Sequence, residues 1–265
     1  MTNIDKNSLA MRFGNSSVGY EDATPTQDMM SRFLMEKITQ HFSDKKISSI
    51  LELGCGTGRL TRQLIEAFPE AQVTAIDISS DMVLHAKKLC SKANYIEADA
   101  EKYVHSLANK FDLIVSNAAI QWFENPQITL KKALELLAPR GYMAIATFAN
   151  RTFFELSSAF KNAYDFYGIA ERHHVLPMMS LKELQNILPQ TEIFDSIIQK
   201  TFPSVRAFLR SIQEAGAVNS LGERFVIPKK VFKKMVEYYL TNHSDHKTGE
   251  VFATYHACYI FCDNS

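Results

Sequence analysis

No run in this 265-residue chain reaches the roughly 20 apolar residues that cross a bilayer, so no helical membrane span is expected. Met1 to Phe13 is polar and lacks the apolar centre of a secretory signal. Cysteine is sparse. Cys55, Cys90, Cys258 and Cys262 form no paired metal-ligand spacing, so no metal and a reduced, cytoplasmic setting are expected. His243 and His246 make an HxxH in a polar stretch, which without further ligands reads as a solvated loop. Charge has no excess of either sign, 29 basic against 29 acidic residues, which argues against general nucleic-acid or membrane binding. Repeats and low-complexity tracts are missing, and nothing resembles a Ser-His-Asp, Cys-His or paired-carboxylate arrangement.

Glycine is scarce too, ten in all, yet three fall at alternate positions in Ile50-Leu51-Glu52-Leu53-Gly54-Cys55-Gly56-Thr57-Gly58. An apolar strand-like run enters this loop and a helix-like segment leaves it near Arg59. Such a turn lets a ligand approach the main chain beside free N–H groups of a helix start. A dinucleotide fingerprint would need G-x-G-x-x-G, but Arg59 occupies the place of its third glycine. The E-x-G-x-G-x-G form resembles motif I of the class I S-adenosylmethionine (SAM) methyltransferases. Val73 to Asp77 reads as a second buried strand, and Asp77 follows the glycines at about the twenty-residue interval of a ribose-binding acid.

Tyr95 to Ala100 is read as a third strand, with Asp99 at its end able to accept from an adenine amino group. Phe111 to Asn117 is read as a fourth, running into Ala118-Ala119-Ile120-Gln121-Trp122. Ligands of an open parallel sheet sit beyond the strands' carboxyl ends, so Gly54, Asp77, Asp99 and Asn117 should share one edge.

Apolar spacing at Met30, Leu34 and Ile38 predicts a helix over 26–42 before the first strand. Another should start at Pro126 and run through Leu137, followed by a turn at Pro139-Arg140-Gly141 and a fifth strand from Tyr142 to Phe148. This alternation implies a doubly wound α/β parallel sheet with right-handed crossovers. After Phe148 the rhythm breaks: residues 152–190 are mostly helical in pattern, strands are expected at Ile193–Phe202 and Tyr255–Phe261, and helices near 203–215 and 228–241. The two late strands are read as the antiparallel edge of a seven-stranded, Rossmann-like methyltransferase sheet. The division expected is a SAM-binding core with an N-terminal arm at 1–150, and a helical lid with the two final strands at 151–265.

Further segments narrow the resemblance. Arg12-Phe13 with Tyr20 and Gln27, Ser116 to Trp122, Thr147-Phe148 with Thr152 to Leu156, Phe208 to Ile212 with Gly216 to Ser220, and Ala253 to Ala257 resemble the malonyl-acyl-carrier-protein O-methyltransferases of biotin synthesis over nearly the whole chain. The resemblance implies methyl transfer from SAM to the free carboxylate of a malonyl thioester on acyl carrier protein, leaving S-adenosylhomocysteine. It implies a cofactor site of Tyr20, Gln27, Gly54, Cys55, Gly56, Asp77, Ile78, Met82, Asp99, Ala100 and Asn117, with Gln121 and Trp122 bordering the methyl group. Core packing is the alternative for Trp122. Another small acid such as aconitate, a quinone ring, or a non-catalytic SAM-binding regulator are the alternatives for function.

A buried acceptor carboxylate needs a cation, and arginine's planar fork suits it. Arg210 is the first choice and Arg172 the second, the latter in a segment, Arg172 to Leu176, that departs from the family's usual pattern. Residues 201–240 hold seven basic residues (Arg206, Arg210, Arg224, Lys229, Lys230, Lys233, Lys234) against Glu214, Glu223 and Glu237. That net +4 is read as a docking surface for an acidic carrier protein.

Overall fold

The computed structural model describes residues 4–216 and 226–264. Two helices precede the first predicted element, α1 (Lys6–Ser16) and the short α2 (Tyr20–Ala23), followed by α3 (Pro25–His41). Asp5 caps α1 by accepting from the Ser8 N–H, and Pro25 opens α3, where a missing N–H costs nothing. The alternating part then runs β1 (Ser49–Leu53), α4 (Arg59–Ala67), β2 (Gln72–Asp77), α5 (Ser80–Leu89), β3 (Asn94–Glu97), α6 (Ala100–Ser106), β4 (Phe111–Asn117), a 3-10 turn at Ile120–Trp122, α7 (Pro126–Glu135) and β5 (Leu137–Phe148). Helices α8 (Phe154–Tyr167) and α9 (Leu181–Ile187) follow, then β6 (Glu192–Phe202), α10 (Val205–Glu214), α11 (Lys229–Asn242) and β7 (Val251–Asp263).

The strands form one seven-stranded sheet in the order β3-β2-β1-β4-β5-β7-β6. Pairs from β3 through β5 are parallel, while β7 runs antiparallel to both β5 and β6. This is the expected doubly wound sheet with an antiparallel late pair. Its two faces are separated by the period of two along each strand. Leu51, Leu53 and Ile114 pack with Val104, Leu130, Ala133 and Leu184 on one face; Ile50, Leu113 and Val115 pack with Met30, Leu34, Leu60 and Leu64 on the other. A third cluster joins α8, α10 and α11 to the start of β7 through Leu156, Phe160, Phe208, Met235, Tyr239 and Val251.

Several expected boundaries move. The third strand ends at Glu97, and Asp99 instead caps α6, its carboxylate accepting from the Glu101 N–H at 3.1 Å. The Pro139–Gly141 turn is an irregularity inside β5: Leu137 already pairs with Phe111, and the register shifts before Leu113 meets Tyr142. Arg140 takes φ +63° there. The last strand is longer than its alternating residues suggested, because it lies between two strands and is buried almost throughout. Within 152–190, helix is confined to α8 and α9; Gly168 ends α8 in the left-handed conformation. Of the basic segment, Glu223 and Arg224 lie outside the described residues.

Candidate active site

Two backbone N–H groups, of Gly54 and Cys55, both donate to the Ile76 carbonyl at 2.8 Å, tying the end of β1 to the end of β2. A Cβ on Gly54 would stand 2.3 Å from the Ala119 Cβ, so only glycine lets the loop after β4 pack this close. Gly56, at φ +53°, has no atom within 4 Å of where its Cβ would be and lines open space instead. Its N–H donates to Asp77 Oδ2 at 2.8 Å, and the Ser79 N–H donates to Oδ1 at 2.9 Å. Each carboxylate oxygen thus keeps a further lone pair for a ligand. Burial raises the Asp77 pKa, and the two N–H groups counter it.

Three adjoining cavities open beyond the carboxyl ends of the strands, and Phe13 and Trp122 line all of them. A loop cavity of about 600 Å³ is lined by Gly54, Cys55, Gly56, Asp77, Met82 and Asn117, with Tyr20 and Gln27 closing it from the N-terminal helices. A second cavity, of about 450 Å³, holds Ile78, Asp99 and Ala100 beside Lys6. Every residue expected at the cofactor therefore borders one of these two spaces. A third, about 790 Å³, extends beneath α8 and α10. It shares Tyr20, Gln27 and Ala118 with the loop cavity and adds Gln121, His174, Lys200 and Tyr255.

The N-terminal helices are fastened to the glycine loop by contacts the sequence did not reveal. Glu21 accepts from Thr57 Oγ1 at 2.8 Å and from Arg62 at 2.6 Å, and Arg59 donates to the Glu21 and Thr24 carbonyls. Tyr20, at the start of α2, is thereby held over Asp77. Burial and the Asp77 charge push its hydroxyl up to about 12. Lys6 bonds both Asp99 oxygens, at 2.9 and 2.8 Å, and also pairs with Glu101. Nothing in the local sequence of Lys6 signals this pairing across 93 positions.

Gln121 is tied at both ends of its amide: its Nε2 donates to the Ala118 carbonyl at 2.6 Å and its Oε1 accepts from Thr147 at 2.9 Å. Trp122 is buried edge-on to Phe13, ring centroids 5.6 Å apart, and forms part of the cavity wall while packing against Ile4, Leu9 and Leu176. Core packing and wall-building thus coincide in this residue. Neither arginine expected as the clamp lines any of these cavities. Arg210 is exposed on α10, while its neighbours Ser211 and Ile212 face the third cavity; Arg172 is exposed and also outside the lining. Helix periodicity turns position 210 away from the face that 211, 212 and 215 present. His174, held by Tyr164 Oη at 2.8 Å and stacked on Phe160, does line it; burial and the neighbouring His173 and Arg172 charges lower its pKa to about 4.

A methyltransferase-domain family matches residues 44–183. The chain is 34% identical over 263 residues to the malonyl-acyl-carrier-protein O-methyltransferase of Bacillus cytotoxicus, spanning 97% of this chain and 91% of that protein. It is equally similar, 34% over 272 residues and 97% of each chain, to the enzyme of the same name from Priestia megaterium. The chain belongs to this methyltransferase family. Among solved structures, the fold is similar to YcgJ of Bacillus subtilis (TM-score 0.58, 14% identity, 88% of this chain and 98% of that one). It is also similar to the plantazolicin methyltransferase BpumL in complex with S-adenosylhomocysteine (TM-score 0.52, 21% identity, 96% and 94%).

The residues fit the family's methyl donor. Asn117 Nδ2 donates to the Gln27 carbonyl at 3.0 Å, but its Oδ1 is buried with no partner, an acceptor suited to a ligand ammonium beside the loop cavity. Asp77 suits a ribose diol, and the space at Gly56 admits a ligand against the main chain. Cys55, in the same loop, is buried and its thiol pKa is pushed well up, so it packs as a neutral side chain.

Proposed function

We propose that this enzyme methylates the free carboxylate of a malonyl thioester carried on acyl carrier protein, giving the methyl ester primer for pimelate and biotin synthesis. When bound, SAM supplies an electrophilic methyl group on sulfonium sulfur. Asp77, Asn117 and the Gly54–Gly56 main chain would hold it in the loop cavity, with Asp99 and Ala100 at its adenine side and Tyr20 closing above. The carboxylate's oxygen forms the new C–O bond as the methyl carbon–sulfur bond breaks, and the electron pair remains on sulfur. No proton moves.

The observation that carries this assignment is the character of the third cavity, which adjoins the cofactor space through Tyr20 and Trp122 and, among the described residues, is lined by no carboxylate and by one cation, Lys200. As a proton acceptor His174, at about 4, is weak, burial pushes Tyr20 and Tyr255 up to about 12, and Lys200 is the one group there whose charge suits an anionic acceptor. A phenolic quinone precursor would need a base; a carboxylate, ionised near pH ~4, does not. A tricarboxylate such as aconitate would bring three charges to a cavity lined by one lysine and otherwise by aromatic, aliphatic and neutral polar side chains. This largely apolar lining suits a thioester arm instead. Catalysis is then alignment, and the wall of Gln121, Trp122 and Tyr20 is rigid enough to supply it.

The partner surface follows from charge. Lys229, Lys230 and Lys233 are exposed on α11, and exposed Arg206 lies against the same helix beside Phe232. Lys230 and Lys234 ride over the Tyr167 and Phe166 rings at 4.7 and 4.5 Å, extending the basic face across the end of α8. We assign this face to the acidic carrier protein. Labelled SAM with malonyl and acetyl carrier protein tests the function: label should pass to the malonyl form alone. Label passing to a small acid or a quinone instead, or SAM binding with no S-adenosylhomocysteine formed, would overturn it.

A further inference from the structure

Lys200 stands on β6, paired in register with Ala253 of β7, and its side chain crosses toward Tyr255, with Nζ 5.2 Å from that ring's centroid. Both residues line the third cavity. Among the described residues no aspartate or glutamate pairs with Lys200, and none lines the cavity; Lys200 is the one lysine or arginine that does. A half-buried ammonium facing an aromatic ring, with no carboxylate beside it among the described residues, leaves its charge open to an anion arriving from outside the chain. Burial accordingly lowers its pKa.

Resting on the malonyl thioester as acceptor, we propose that Lys200 is the cation that receives the malonyl carboxylate, the role that Arg210 and Arg172 do not occupy. Lysine serves here as a compact point charge, binding one carboxylate oxygen and leaving the other for the methyl carbon. Its placement also separates substrate from product. Methyl transfer converts the carboxylate into a neutral ester, so the ion pair exists before the reaction and is gone after it. Lys200 then holds a substrate and does not hold its product, and the ester departs without an electrostatic tether. Acetyl thioesters, lacking the carboxylate, would gain nothing from this residue, which makes it a determinant of specificity as well as of orientation.

The test compares Lys200→Met and Lys200→Gln with Lys200→Arg, using binding without turnover. Affinities are measured for malonyl carrier protein and for its methyl ester, both in the presence of S-adenosylhomocysteine. Removing the charge should weaken malonyl carrier protein binding by about 10–100-fold, the worth of one charge-assisted bond, and leave the methyl ester form within about twofold. Lys200→Arg should recover most of the lost affinity, and the KM for malonyl carrier protein should rise more than kcat falls. Unchanged S-adenosylhomocysteine affinity reports that each variant is folded. Wild-type malonyl binding in the uncharged variants would overturn the role of Lys200. Equal loss for malonyl and methyl ester forms would overturn it too, marking Lys200 as part of the wall only. A wild-type enzyme inert toward malonyl carrier protein would instead overturn the acceptor itself, and this proposal with it.

Discussion

Glu52 offers a thermodynamic handle on the motif I strand. Its carboxylate is buried on β1, 1% exposed, and accepts a single hydrogen bond from Thr61 Oγ1 at 2.6 Å. Burial raises its pKa from the ordinary 4.5 to about 7, opposed by the Thr61 hydrogen bond and by Arg62 and aided by nearby Asp77. Between those values the folded chain holds a proton that the unfolded chain has lost. Stability from this group is therefore full below pH 4.5 and lost as pH rises through 7. At about 1.4 kcal/mol per pH unit, the whole difference is about 3 kcal/mol, of which about 2.5 falls between pH 5 and pH 8. Glu52→Gln keeps an oxygen for Thr61 and cannot ionise. With an unfolding entropy of about 0.55 kcal/mol/K for a chain this size, the Tm of Glu52→Gln minus that of wild type should rise by about 4 °C from pH 5 to pH 8. Calorimetry without cofactor measures it, and taking the difference between variant and wild type removes the other titrating groups. A Tm difference that stays constant across that range would refute a protonated Glu52, and with it the idea that the strand tolerates a buried carboxyl by neutralising it.

Asp77→Ala removes the acceptor of the Gly56 and Ser79 N–H groups and two charge-assisted bonds to a ribose, each worth ~1.5–3 kcal/mol. Titration calorimetry should show SAM affinity falling by about a hundredfold or more; unchanged affinity would remove Asp77 from the site. Reversing the exposed Lys229 and Lys233 to glutamate should slow methylation of malonyl carrier protein, most at low salt, and spare malonyl-coenzyme A. Equal loss on both thioesters would relocate the docking surface.

What could be read ahead of the structure was local chemistry. The alternate glycines, the acid ending β2 and the period-two strands each express their role within a few residues, and all of the expected cofactor residues border the two adjoining cavities. What escaped was chemistry made by distant pairing. Lys6 meets Asp99 across 93 positions and Asn117 meets the Gln27 carbonyl across 90. Asp99 shows the consequence: a strand-end acid by pattern, it is a helix cap already gripped by the arm. Lys200 was hidden for a different reason. On an edge strand whose other residues are mostly exposed, one inward lysine looks like any solvated charge until the β6–β7 register sets it beside Tyr255. Arg210 shows the converse effect. The family-like segment suggests that its charge faces the substrate, whereas α10 turns Ser211 and Ile212 to the cavity and leaves the arginine exposed.

The contacts around the transfer point explain how alignment can make such an enzyme selective. Gln121 is tied at both ends of its amide, to Ala118 and Thr147, which fixes its place in the wall and leaves its second N–H for a ligand. Trp122 and Phe13 hold each other edge-on, and Tyr20 is pinned through Glu21 to the helix that begins at the glycine loop. Order in the loop cavity therefore bears directly on the shape of the acceptor cavity, since Tyr20, Gln27 and Trp122 belong to both. Such shared walls let the methyl group and the acceptor oxygen be aligned by one set of side chains, without any group that must gain or lose a proton during the reaction. On the role proposed for it, Lys200 brings the charge in this cavity. It acts on the substrate's carboxylate before transfer and has nothing to hold afterwards, so specificity and release follow from the same residue.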